Sequence, residues 1–336
     1  MAMCTHERKT TQHIENTGEN KMERSFGIEM EFNGLTMQQS LAALKNAGLK
    51  AQIEGYNHND HADGTWKIVS DASVSRGHEV VSPILRGEAG IAEACRAAEA
   101  LEKAGATIDR TCGLHVHFDA AAFTADELRT ACIRYAKHER EIDAFMPRSR
   151  RGNENTYCKA TTGCFLNNAS FARATSKESL ARSQGSRYFK VNLQAYLRHQ
   201  TIEFRQHSGT VDSSKIENWV RFLAAFLDES VRVAHQGTNG IRLQPAQQNL
   251  VDLISRDGGM TAEALQERLG LLPHSLRGTI SLIRKRGVNI VSTRENGTTI
   301  YRAFTSSEAP REDALFNGVD ESVRAFYASR AARLAA

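Results

Sequence analysis

Seven residues near the start of the chain, Phe26-Gly27-Ile28-Glu29-Met30-Glu31-Phe32, constrain the fold more than any other stretch. Apolar and polar positions alternate without a break, which is the pattern of a half-buried strand because successive side chains point to opposite faces. Phe26, Ile28, Met30 and Phe32 must then face a core. Glu29 and Glu31 face the other way, about 6–7 Å apart at the usual strand rise. Two carboxylates that close repel each other unless water or a cation lies between them. One such strand fits a solvated sheet face as well as a metal site, so the other strands decide.

Several repeat the pattern. His78-Glu79-Val80-Val81-Ser82-Pro83 reads as a strand ended by a proline that cannot continue a ladder. Cys112 to Asp119 sends Leu114, Val116 and Phe118 inward and His115, His117 and Asp119 outward. Tyr188 to Gln194 places Lys190, Asn192 and Gln194 together, and Thr201 to His207 places Thr201, Glu203, Arg205 and His207 on one face. A further strand is expected over 65–70. Helices are expected over 36–48 and 87–105, each closed by glycine, from the Thr124/Glu127 capping box to about Phe145, and from a Ser214/Glu217 cap over 215–235. Strands with one apolar face and helices with one apolar side make an α+β layer architecture.

The length of 336 residues allows two or three domains. Residues 1–23 lack periodicity and an apolar face, so a disordered tail without a signal segment is expected, with the cytoplasm as the compartment. No apolar run approaches the roughly 20 residues of a membrane span. The six cysteines have no C-x-x-C pairing or zinc spacing and read as reduced thiols. A net charge of +4 neither demands nor excludes nucleic acid. Residues 54–64 read as surface turn-formers. The basic stretch with Arg148, Arg150, Arg151 and Lys159 reads either as a phosphate-gripping lid or as a solvated connector.

Taken together, the polar strand faces hold Glu29, Glu31, Glu79, His115, His117, Glu203 and Arg205, with lysine nearly absent outside Lys190. Oxygen ligands with one or two imidazoles suit Mg²⁺ or Mn²⁺, and the lack of thiolates argues against structural zinc. Arg205, planar and always protonated, suits a transferring phosphoryl group. The chain has no P-loop and no dinucleotide fingerprint after a strand, so ATP phosphates would have to be held by metals and by Arg or Lys side chains.

The elements Gly27-Ile-Glu29-Met-Glu31-Phe, His78-Glu79-Val-Val-Ser-Pro83, Gly113-Leu-His115-Val-His117 and Thr201-Ile-Glu203-Phe-Arg205 resemble the glutamine synthetase and glutamate–cysteine ligase superfamily of carboxylate–amine ligases. Within it they are most similar to the amidoligase branch, met in phage and bacterial gene neighbourhoods, in that family's order and over about residues 24–235. The resemblance implies a glutamine synthetase-like curved antiparallel sheet that holds ATP and metals on its concave face, with helices packed on its convex face. It implies that Glu29, His115 and Glu203 hold the Mg²⁺ (or Mn²⁺) nearest the transferring phosphate, and Glu31 and Glu79 the second. His117 would contact the nucleotide and Arg205 the γ-phosphoryl group, with Asn192, Lys190 and His207 lining the pocket. The implied reaction is ATP-dependent amide-bond formation between small-molecule or peptide carboxylate and amine substrates through an acyl phosphate, with Glu29, Glu203 and Arg205 as its catalytic set. A metal-dependent hydrolase on the same site, and a DNA-associated regulator with a ligand-sensing large domain, are the alternatives.

After a linker at 236–245, helical spacing recurs at 247–254, 261–270 and 272–287, followed by a hairpin over 288–294 and 298–303 with an Asn296-Gly297 turn. This order over 246–305 resembles a winged helix-turn-helix domain, with Ser275, Arg277, Thr279 and Ser281 as candidates for a face that meets DNA or a protein. Its charge from Gln247 to Ala303 is +3. The remaining residues, 306–336, are expected to end in a short amphipathic helix with Val323, Phe326 and Tyr327 on one side.

Overall fold

The structure, a computed structural model, describes residues 23–55, 63–70, 77–236, 243–255, 259–285, 288–295, 297–304 and 314–335. The expected tail lies outside these residues except for Glu23, and so do most of the 54–64 loop and of the 236–245 linker.

The opening strand, β1 (Ser25–Phe32), divides its side chains as the alternation requires: Phe26, Ile28, Met30 and Phe32 are at most 2 % exposed. Thr36 and Gln39 form a capping box on α1 (Met37–Asn46). β2 (Ala51–Ile53), β3 (Trp66–Ser70), β4 (His78–Val81) and β5 (Leu85–Arg86) follow. α2 (Gly87–Ala104) ends at Gly105, whose φ of +101 is a left-handed conformation that glycine adopts without a steric penalty. β6 (Gly113–Asp119) leads into α3 (Ala125–Ala144), opened by the expected Thr124/Glu127 box. The short helices α4 (Thr162–Phe165), α5 (Ala169–Arg173) and α6 (Lys177–Ser183) precede β7 (Val191–Asn192), α7 (Tyr196–His199) and β8 (Thr201–Ser208).

The next helix, α8 (Ser213–Gln236), starts earlier than expected because its cap is Asp212 rather than Ser214. Asp212 Oδ1 accepts from the N–H groups of Ser214 at 3.0 Å and Lys215 at 3.2 Å. Partial burial raises the Asp212 carboxyl, but its bonds with Ser214 and Lys215 prevail and hold it at about 2.

Among the described residues, eight strands form one open sheet in the order β2-β3-β4-β1-β6-β8-β7, with β5 paired to β1 beyond β4. The sheet is mixed rather than wholly antiparallel, because β2 runs parallel to β3. Twelve residues (54–65) separate that pair, matching the dozen or so that a parallel connection needs. The apolar face of the sheet packs against α1, α2, α3 and α8 in one cluster. Phe118 and Phe204 on neighbouring strands meet edge to face at 6.2 Å, and Tyr135 of α3 reaches Phe204 at 5.5 Å and Phe226 of α8 at 5.8 Å.

A second apolar cluster is built from α9 (Pro245–Ile254), β9 (Met260–Thr261), α10 (Ala262–Leu269), α11 (Pro273–Lys285), β10 (Asn289–Glu295) and β11 (Thr298–Phe304). Its three strands pair antiparallel in the order β10-β11-β9. The chain then returns to the first cluster. In α12 (Glu321–Ala335), Tyr327 is fully buried, its ring 4.4 Å from that of Phe145 and 5.6 Å from that of Phe222. Among the described residues, no helix is long and apolar enough to cross a membrane.

Candidate active site

The face of the sheet turned away from the helices carries its polar residues in rows fixed by strand register. Glu31 of β1 stands opposite Glu79 of β4. Glu29 stands opposite His115 of β6, and the next row runs from His117 to Glu203 of β8 and on to Asn192 of β7. Apolar alternation on one face therefore delivers acids and imidazoles to adjacent positions on the other.

The contacts are close. His115 Nδ1 lies 2.9 Å from Glu29 Oε2, and its Nε2 lies 3.6 Å from Glu31 Oε1. His117 Nδ1 lies 3.0 Å from the Thr201 hydroxyl, which leaves Nε2 facing Glu29 Oε1 at 3.3 Å and Glu203 Oε1 at 3.8 Å. Glu203 accepts from the Arg205 guanidinium and, at 2.5 Å, from Asn192 Nδ2. The Gly113 N–H donates to Glu31 at 2.6 Å. Glycine is needed there, since a Cβ would stand 2.8 Å from His115 Nε2 and 3.2 Å from Glu31 Oε2.

These neighbours reverse what burial alone would do. Burial raises the Glu29 carboxyl, but its hydrogen bond with His115 and the close approach of His117 outweigh it and hold Glu29 well below the usual carboxylate range. Burial lowers His117, yet Glu203 and Glu29 together push the imidazole up. Glu203 is likewise raised by burial and brought below its ordinary value by Arg205, His117 and His115. Glu29 and Glu203 therefore stay ionised and draw positive charge between them.

Glu29, Glu31, Glu79, His115, His117, Asn192, Glu203 and Arg205 all line one open cavity of about 1420 Å³. Lys190 and His207 do not. The Lys190 side chain is fully buried, its ammonium donating to Glu139 and Asp143 of α3 at 2.7 Å each. β7 is two residues long, so the alternation that places Asn192 does not extend back to Lys190. His207 is misplaced by a β-bulge: three steps on β8, Phe204 to His207, oppose two on β6, Val116 to Leu114. Beyond the bulge His207 pairs with the core residue Leu114, its ring 5.4 Å from that of Trp219, and burial pushes its imidazole down to about 3.

Both histidines reach these carboxylates, His115 Nδ1 also standing 3.6 Å from Glu203 Oε1. Among the described residues, one ligand atom each from Glu29, His117 and Glu203 lies within 4.8 Å of the others. His117 Nε2 is buried without a hydrogen-bond partner, whereas both ring nitrogens of His115 face Glu29 and Glu31. A buried imidazole nitrogen aimed between two carboxylates, with no thiolate near, fits a hard divalent cation.

Of the basic stretch after α3, Arg150 is buried and donates to the Cys112 carbonyl, and Arg151 donates to the Met146 carbonyl at 2.8 Å. None of Arg148, Arg150, Arg151 and Lys159 lines the cavity, although Tyr157 of the same stretch does. The cavity wall instead contains residues that strand patterning does not single out: Lys67 of β3, Arg182 of α6, Arg198 of α7, and the rings of Tyr157 and Tyr188, edge to face at 5.3 Å. Most belong to the short elements between α3 and β8, where no period marks a face. Lys67 had a signal, its place in an expected strand.

Comparison with known families gives two matches. A family model described as "putative amidoligase enzyme" matches residues 22–227, more than half of the chain. A second, described as a protein of unknown function (DUF3489), matches residues 240–303. No curated protein matches the chain.

Proposed function

The chain belongs to the amidoligase family, and from that premise we propose that it is an ATP- and Mg²⁺-dependent carboxylate–amine ligase. The observation that carries the reading is the convergence of Glu29, His117 and Glu203 ligand atoms within 4.8 Å, beside Arg205, on the floor of the cavity.

In this reading Glu29, His117 and Glu203 would hold one divalent cation, which would displace the proton that His117 otherwise draws. Glu31 and Glu79, directly opposite each other on β1 and β4, would hold the second, with His115 Nε2 3.6 Å from Glu31. Such ions neutralise phosphate oxygens and align in-line attack. A carboxylate is a poor acyl donor because oxide would have to leave. Its oxygen therefore attacks the γ-phosphorus of ATP, the bond to the bridging oxygen breaks, and ADP departs. The amine then attacks the acyl carbon, phosphate leaves, and an amide remains. Arg205 stabilises the charge on the transferring phosphoryl group, and its raised pKa keeps it protonated: burial lowers it, but the neighbouring Glu203 and Glu29 carboxylates prevail. Asn192 holds Glu203 in place from the side.

The same reading relates the sheet to the curved glutamine synthetase-like sheet, with helices behind it. It also takes 243–304 as a winged helix, supported by the order α9-β9-α10-α11-β10-β11 in which β9 joins the hairpin.

The test is ATP consumption with a panel of amino acids, peptides and polyamines. Wild type should release ADP and phosphate with at least one carboxylate–amine pair, and Glu29→Ala and Glu203→Ala should not. Wild type indistinguishable from both variants across the panel refutes the ligase.

A further inference from the structure

We propose that residues 243–304 bind double-stranded nucleic acid through the exposed face of α11, an inference that rests on the winged-helix reading and is independent of the ligase. Leu276, Ile280 and Ile283 insert into the second apolar cluster beside Leu250 and Leu265. Their 3–4 spacing leaves His274, Arg277, Ser281 and Arg284 on the open side. Ser275 and Thr279, candidates from the sequence, are half-buried, because a spacing of two does not share a face on a helix of 3.6 residues per turn.

Charge complementarity selects the partner. α11 contains no carboxylate at all. Among the described residues, the guanidinium groups of Arg277 on α11 and Arg294 on β10 make no ion pair, while Glu295, next to Arg294 in the chain, is taken up by Arg302 at 3.1 Å. Gly278, in the middle of the open face, has nothing within 4 Å of where a Cβ would stand, so a bulky surface can approach the helix closely. A helix about 10–12 Å across fits a B-form major groove about 12 Å wide. With α11 in the groove, Arg277 and Ser281, one turn apart, would meet base edges or phosphates, and Arg294 on the hairpin would meet the flanking backbone. Two apolar residues, Leu272 at 62 % exposure and Leu282 at 54 %, sit on the same helix or just before it, and a protein partner would bury them instead.

The experiment uses the full chain and a fluorescein-labelled 24-base-pair duplex of mixed sequence, followed by fluorescence anisotropy from 50 to 200 mM potassium chloride. We expect saturable binding that weakens steeply with salt. Each phosphate-contacting cation removed should weaken binding about 8-fold at 0.1 M salt and flatten the log–log salt slope by about 0.9. Arg277→Ala and Arg294→Ala should each do this, and the double variant should do both. Arg96→Ala, which removes an exposed cation on α2, should stay within about twofold of wild type, as should Glu29→Ala. Retained circular dichroism shows that each variant folds. The proposal is overturned if the duplex does not bind at 50 mM salt, if binding ignores Arg277 and Arg294, or if Arg96→Ala weakens it equally.

Discussion

Replacing Lys190 with methionine separates a structural lysine from a nucleotide-binding one. The Lys190 side chain is 0 % exposed and its ammonium bonds Glu139, whose side chain is 7 % exposed, and Asp143, at 17 %. Glu139 also accepts from the Thr161 N–H at 2.7 Å and hydroxyl at 2.5 Å, while Gln206 donates to Asp143 at 2.5 Å. Methionine keeps the length of the stem but strands two carboxylates of α3 without their cation. Breaking a buried pair by removing one partner costs about 3–5 kcal/mol. Urea unfolding should show Lys190→Met losing that much. The double variant Lys190→Met/Glu139→Gln should lose clearly less than the sum of the two single changes, since the two groups share one network. At temperatures where the variant stays folded, its affinity for an ATP analogue should match wild type. An unchanged urea midpoint with weakened nucleotide binding would refute the reasoning and return Lys190 to the cavity.

Two further predictions concern the packing behind the site. His207 titrates at about 3 when folded, against about 6.5 in an unfolded chain, so the unfolded state binds the extra proton between those values. Stability present above pH 6.5 is therefore lost as the pH falls, at about 1.4 kcal/mol per unit; wild type should lose about 2 kcal/mol more between pH 7 and 5 than His207→Gln, measured by urea unfolding. Tyr327 is fully buried and, among the described residues, its hydroxyl has no hydrogen-bond partner. Tyr327→Ala should cost about 3–5 kcal/mol by leaving a cavity among Phe145, Trp219 and Phe222, whereas Tyr327→Phe should be neutral or slightly stabilising in the same calorimetric melt.

Much of the site could be read from the sequence because it is built on strands whose partners are regular. Where β1, β4 and β6 run without interruption, the alternation of Phe26 to Phe32 and of Leu114 to Phe118 names the face of every residue, and Glu29, Glu31, Glu79, His115 and His117 follow. Reading fails where the ladder is irregular. The bulge between Phe204 and His207 carries no glycine or proline to mark it, and it turns Gln206 and His207 to the core side while Arg205 stays in the cavity. Lys190 looked like a pocket residue because its acidic partners lie on α3, 47 and 51 positions away. In the proposed ligase the preference for His117 rests on Thr201 occupying one of its ring nitrogens, a contact between residues 84 positions apart. The period of α12 marks its apolar side but not the aromatic cluster that receives it.

The proposed ligase requires a divalent cation among Glu29, His117 and Glu203. Crystals grown with Mn²⁺ and a non-hydrolysable ATP analogue, measured at the manganese absorption edge, test this directly. The account predicts an anomalous peak bounded by those three side chains, with the analogue's terminal phosphate beside it and Arg205 in contact. No peak at that position, or manganese held by His115 and Glu31 with His117 uninvolved, would contradict it.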